Sequence, residues 1–131
     1  MTRHLVLAAT FAVCGSAASV LGHHSAAAAY DTSNKITLAG TVTKVVWQNP
    51  HVFYYLDVAD ASGAVANWAV EASTPNQLYR SGWRKDDLKI GDAVTVVNSS
   101  PARNGSHKAY GGILTLANGR KVFSGSAATD Q

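Results

Sequence analysis

Four side chains in this sequence combine residue type and position in a way that could do chemistry: His23, His24, His51 and Glu71. An apolar stretch ends at Val20-Leu21-Gly22, and His23-His24-Ser25 follows at once, so a cut after Gly22 would leave a histidine as the first residue. The free amine and the imidazole of such a residue can chelate one soft or borderline metal ion. A further imidazole, from His51 or His24, would give three nitrogens in an equatorial plane. That set suits Cu(II), which prefers tetragonal nitrogen coordination and heads the divalent affinity order.

The ligand set, though not any fold, resembles the histidine brace of copper oxygenases and some copper-binding proteins. Proline at position 50 confines Asn49 to extended conformations and fixes its own φ, so His51 leaves the turn in a defined direction. Glu71, supported by Asn49, would then orient the second ring nitrogen of His51, as is usual behind a metal-bound histidine. Plainer readings stand beside these. Asn49-Pro50-His51 also reads as a strand-start turn, and His23-His24 as a frayed leader junction without contacts. The metal reading further requires residues 25–35 to return the terminus to the second strand.

The elements that must position these residues begin after a leader. Arg3 and His4 precede the apolar run 5–21, and Val20 and Gly22 are small enough for the subsites of a signal peptidase; a cut after Ala18 is the rival. The run is at the short end of the ~20 residues that a spanning helix needs, so no stable membrane insertion is expected after its removal. Phe11-Ala12-Val13 lacks the small residue expected before a lipidated cysteine, which leaves Cys14 an ordinary leader residue. The expected organisation is a signal peptide over 1–22, an N-terminal extension over 23–35, a barrel domain over 36–124 and a flexible tail over 125–131.

Cys14 is the single cysteine, so the exported chain would hold neither disulfides nor thiolate metal sites. The chain carries 11 Lys and Arg against 8 Asp and Glu, a formal charge of +3. This is too small and too scattered through Lys44, Arg80, Arg84, Lys85 and Lys89 to argue for nucleic acid. Leader and composition together predict an exported protein, periplasmic or secreted, of one modest domain.

Two-residue alternation dominates that domain and predicts strands. Ile36, Leu38, Gly40 and Val42 alternate with Thr37, Ala39, Thr41 and Thr43 until the phase slips over 44–47, which suggests a bulge or bend in a coiling strand. Segments 52–58 and 64–72 flank a turn-forming stretch at 59–63. Pairing Val58 with Ala64 sets Leu56 against Ala66, Tyr54 against Trp68 and Val52 against Val70 on one face. Phe53 then faces Ala69, and His51 faces Glu71 directly, on the other. Thr74-Pro75 and Gly82 bracket one short capped helix with Trp83 and Leu88 beneath it. Residues 89–92 turn into a strand over 93–97, and Asn118-Gly119 closes a last hairpin.

Three strands, a short helix and two more strands is the order of an OB-like barrel of five or six strands, the helix lying between the third and fourth; a small β-sandwich is the alternative. The His23-His24-Ser25, Trp47-Gln48-Asn49-Pro50-His51, Trp68-Ala69-Val70-Glu71, Leu78-to-Trp83 and Pro101-Ala102-Arg103-Asn104-Gly105-Ser106 landmarks resemble those of a bacterial exported family, a domain of unknown function. The resemblance implies export and a small β domain and brings no activity.

Trp47, Phe53, Tyr55, Tyr79 and Trp83 could line a ligand groove, since such barrels bind on the face of strands two and three; core packing is the competing use. His107 reads as solvent-facing. No nucleophile accompanies the His51–Glu71 pair, which leans against an enzyme. Function is thus expected to be the binding of a metal, copper first, or of a small ligand. The alternative is an interaction module that docks a periplasmic protein, peptide or glycan without metal.

Overall fold

Strand β1 (Ile36–Val46) shows why the alternation breaks. Its first half pairs with β4 (Ala93–Pro101) and its second half with β2 (Phe53–Ala59), so one strand closes both edges of the sheet. The register shifts between Val42 and Lys44, where a bulge turns the strand. Gly40 sits at the crossover, and a Cβ there would lie 2.3 Å from the Asp57 carbonyl oxygen. Only glycine lets the two backbones approach so closely.

These features come from a computed structural model that describes residues 26–125 and residue 127. The expected leader, with its cleavage site, and both amino-terminal histidines, His23 and His24, lie outside the described residues. The remaining strands are β3 (Val65–Glu71), β5 (Lys108–Tyr110), β6 (Ile113–Leu116) and β7 (Lys121–Val122). Five strands close in the order β1-β2-β3-β5-β4-β1, with β3 and β5 parallel and the other pairs antiparallel. Hairpin β6–β7 extends from β4 beyond the closed barrel. The fold is therefore mainly β, an OB-like five-stranded mixed barrel with two extra strands. Among the described residues no helix is long and apolar enough to cross a membrane.

Helix α1 (Pro75–Arg80) lies between β3 and β4. The Thr74 side chain accepts from the Gln77 backbone N–H at 3.1 Å, and proline fills the first position, where no N–H is needed. Gly82, at φ 92°, ends the helix, and Trp83 and Leu88 drop into the core at 0% and 2% exposure. The inward residues Leu38, Val42, Val52, Tyr54, Leu56, Val70, Val96 and Leu114 complete that core.

Two expectations need correction. Hairpin β2–β3 pairs Val58 with Ala66 and Leu56 with Trp68, two residues away from the expected register. The turn takes residues 60–64, because the Asp60 carboxylate accepts from the Ser62 hydroxyl and from the backbone N–H groups of Ser62 and Ala64. A slip of two preserves every face, so the inward set is unchanged. The Asn118-Gly119 hairpin has a three-residue loop: Leu116 donates to Arg120, and Gly119 takes φ 87°. At the margins of the described residues the chain is held in place. Tyr30 is 8% exposed, Ala127 donates to the Ser81 carbonyl at 2.8 Å, and Trp83 Nε1 donates to the Gly125 carbonyl at 3.2 Å.

Candidate functional site

The site forms where β3 ends. Glu71, its last residue, stands opposite Phe53 in the antiparallel ladder and beside Tyr110 in the parallel one. His51 precedes β2, after a turn containing the cis Asn49–Pro50 bond. It lies diagonally across from Glu71 and not directly opposite, and the two side chains still meet: His51 Nδ1 bonds Glu71 Oε1. A carboxylate only accepts, so Nδ1 carries a proton; in the neutral ring Nε2 then keeps the lone pair that a ligand role needs. The His51 side chain is 38% exposed and that of Glu71 16%.

The second carboxylate oxygen is claimed from far away in sequence. The Tyr30 hydroxyl donates to Glu71 Oε2 at 2.7 Å, and its ring stacks on Tyr110 with centroids 5.4 Å apart. Burial first, then the hydrogen bond to Glu71 and its charge, push the Tyr30 phenol well above its ordinary value. The phenol is therefore a fixed donor.

Tyr30 is in place because its segment is clamped. Residues 26–29 form a helical turn, Tyr30 makes an isolated bridge to Ala102, and Asp31 donates to the Pro101 carbonyl. Arg103 returns two bonds, from its backbone N–H to the Ala29 carbonyl and from Nε to the Ala27 carbonyl, each at 3.0 Å. Three stretches far apart in sequence thus converge on one corner: 47–51 brings His51, 68–71 brings Glu71, and 101–103 pins the segment that carries Tyr30.

Other candidates are placed elsewhere. Asn49 is exposed in the turn, and no hydrogen bond joins its side chain to His51 or Glu71 among the described residues. The five aromatic residues do not gather in one groove. Trp83 is fully buried and so is core, because a ring of that size closes the barrel beneath α1. Trp47 packs edge-on against Phe123, 5.5 Å between centroids, while Phe53 and Tyr55 lie on the outer face of β2. Tyr79 is exposed on α1 under the Arg84 guanidinium, 3.9 Å from its centroid. His107 is exposed and tilts over Trp68 at 5.1 Å.

Tyr30 and Tyr110 were not picked out by the sequence reading. The signal for Tyr30 was slight, a lone aromatic residue between an alanine run and a polar turn. Among the described residues no three His, Cys, Asp or Glu side chains converge as a metal site. The described corner offers one oriented imidazole with an open Nε2, a half-buried carboxylate and a tethered chain segment.

A family model described as "Family of unknown function (DUF6152)" matches residues 10–111, well over half of the chain. The resemblance to a domain of unknown function thus holds at the level of the family. No curated protein and no solved structure matches the chain.

Proposed function

The chain belongs to the DUF6152 family, and we propose that it acts as an exported copper-binding module. In this reading the leader over 1–22 is removed in a bacterial periplasm or during secretion. The new terminal residue, His23, then supplies its amine and imidazole to one Cu(II), His51 Nε2 supplies a third nitrogen, and His24 stands as an alternative donor. Glu71 holds the His51 ring from behind and raises its basicity as a ligand.

One observation carries the reading. The carboxylate that holds His51 is also the anchor of the segment leading back to His23, through the Tyr30 hydroxyl. Tyr30 thereby supports the return of the terminus that the metal reading requires. At roughly 3.5 Å per residue, a fully extended stretch from Ala26 back to His23 would reach about 10 Å. Amine and imidazole nitrogens favour Cu(II) over the other common divalent ions.

The test is an intact-mass measurement and Cu(II) titration of protein exported from its own leader. A mass beginning at His23 with one tightly bound copper is expected. Adding one residue before His23 should weaken binding at least tenfold, because it removes the chelate of amine and imidazole. Unchanged affinity in the extended protein would overturn the brace.

A further inference from the structure

The second half of β1 has a free edge. Ala69 donates to the His107 carbonyl and Glu71 accepts from the Gly111 N–H, so these two residues of β3 turn their backbone groups away from β2. Bonded and non-bonded pairs alternate along an antiparallel ladder, and Val70 between them therefore bonds Tyr54. Tyr54 is thus turned away from β1, and Val45, which stands opposite it there, faces outward from the sheet edge. On that side β4 pairs with β1 only as far as Thr41, and the turn over 89–92 bonds only Val42, through the Asp92 carbonyl and the Gly91 N–H. The N–H and C=O of Val45 emerge there with no hydrogen bond to any described residue.

This edge borders a hollow of about 320 Å³ between β1 and residues 85–90. Val45 and the buried Leu88 give it an apolar floor, and Ile90, 74% exposed, gives it an apolar lip. Lys44, Lys85 and Lys89 line it against a single carboxylate, Asp86, so its charge is positive. Among the described residues none of the three ammonium groups is in an ion pair, although Lys44 Nζ stands over the Tyr55 ring, 5.4 Å from its centroid. An unpaired strand edge, an exposed aliphatic side chain and cations without counter-ions therefore meet at one place.

We infer that this hollow takes the C-terminal residue of an extended peptide, one with an aliphatic side chain and a free carboxylate. The N–H of that residue donates to the Val45 carbonyl, its carboxylate accepts from the Val45 N–H among the lysines, and its side chain packs on Leu88 and Ile90. This is a single bonded pair of an antiparallel ladder, added to an open edge. A fatty-acid anion would answer the charge and the apolar floor but would offer nothing to the Val45 carbonyl. At about 30 Å³ per water-sized group, the hollow holds ten or eleven non-hydrogen atoms, one acylated residue. The inference uses no residue of the His51 corner and needs no metal, so it stands apart from the copper reading.

N-acetyl-L-valine is the probe. N-acetyl-L-valinamide removes its charge, and 2-acetoxy-3-methylbutanoate replaces its N–H with an ester oxygen while keeping the carboxylate. Each is titrated into the exported protein, freed of metal with a chelator, and the amide resonances of Val45, Ile90 and Gly91 are followed. Saturable shifts with N-acetylvaline are expected, with at least tenfold weaker binding of the amide and about threefold to tenfold weaker binding of the ester. Replacing both loop lysines, Lys85→Met with Lys89→Met, should weaken N-acetylvaline tenfold or more. No saturable shift with N-acetylvaline, or an amide or ester that binds the unmodified protein equally well, would overturn the assignment whatever the variant does. Because metal is absent throughout, that failure would leave the copper reading untouched.

Discussion

Glu71 and Asp87 are both partly buried carboxylates that gather partners from distant parts of the chain, and their charges meet different fates. Asp87 accepts from the backbone N–H of Arg84 at 2.7 Å and pairs with the Arg120 guanidinium at 3.0 Å, which itself stands over the Trp83 ring. A permanent cation from the β6–β7 loop neutralises it, and the result is a brace between the loop after α1 and the last hairpin. Glu71 is satisfied by a phenol and an imidazole instead. Neither is a fixed cation, so its charge is available to orient a ligand-bearing ring. The comparison teaches that hydrogen-bond satisfaction and charge neutralisation are separate properties, and that a site is to be sought where the first holds without the second.

Exchanging the charge for an isosteric amide at each position should break the comparison in opposite ways. Glu71→Gln is expected to show the largest effect, a 10- to 100-fold loss of Cu(II) affinity in titration. Its unfolding free energy should change by less, about 1 kcal/mol, since the amide still accepts one bond. Asp87→Asn should do the reverse. Copper affinity stays as in the parent, while urea denaturation shows a loss of about 1–2 kcal/mol from the weakened pair with Arg120 and the weakened bond from Arg84. A copper defect in Asp87→Asn equal to that of Glu71→Gln would mean that both act only through general stability.

Tyr30→Phe sharpens the same contrast with a smaller effect. It keeps the stack on Tyr110 and removes one donor to a carboxylate, for a cost of about 1 kcal/mol and a few-fold weaker copper binding. It also has a signature in pH. The Tyr30 pKa is raised above its ordinary 10.0, so the bond's contribution is fully present below pH 10 and is lost as pH rises through the raised value. Denaturation midpoints of the parent should therefore fall more steeply above pH 10 than those of Tyr30→Phe. Parallel curves would show that the phenol is not a donor to Glu71.

Alternation, turn composition and capping residues made the barrel legible, since each is a local pattern with a physical period. Gly40 and the slip after Val42 marked the coiling strand, and Thr74-Pro75 marked the helix. The register of β2 against β3 was legible only modulo two, because a slip of two residues leaves every side chain on its own face; the bonds around Asp60 and the packing of individual residues on the buried face together select the observed one. His51 and Glu71 survived that error because diagonal neighbours are still within reach of long side chains. Tyr30 was hidden for another reason. Its contacts lie across 41 residues of sequence to Glu71, and an alanine run carries no periodicity that reveals docking. The aromatic residues misled in the opposite direction, since ring size predicts burial as readily as binding, and only closure of the barrel consigns Trp83 to the core.

A third carboxylate marks the lower end of the scale. Asp60 is fully exposed, and its donors all lie within four residues: the Ser62 hydroxyl at 2.6 Å, the Ser62 N–H at 2.8 Å and the Ala64 N–H at 3.1 Å. The Ser62 hydroxyl foremost, then these backbone groups, hold its carboxyl below the ordinary value of 3.8. What it adds is complete above that value and is lost as pH falls through the lowered one. Water competes freely at this turn, so the effect should be the smallest of the four and confined to it. Asp60→Ala is expected to leave copper affinity and the pairing of Leu56 with Trp68 intact while speeding hydrogen exchange at Ser62 and Ala64 at neutral pH. A change in the β2–β3 register in this variant would show that the turn alone, without the buried face, sets the position of Glu71 against His51.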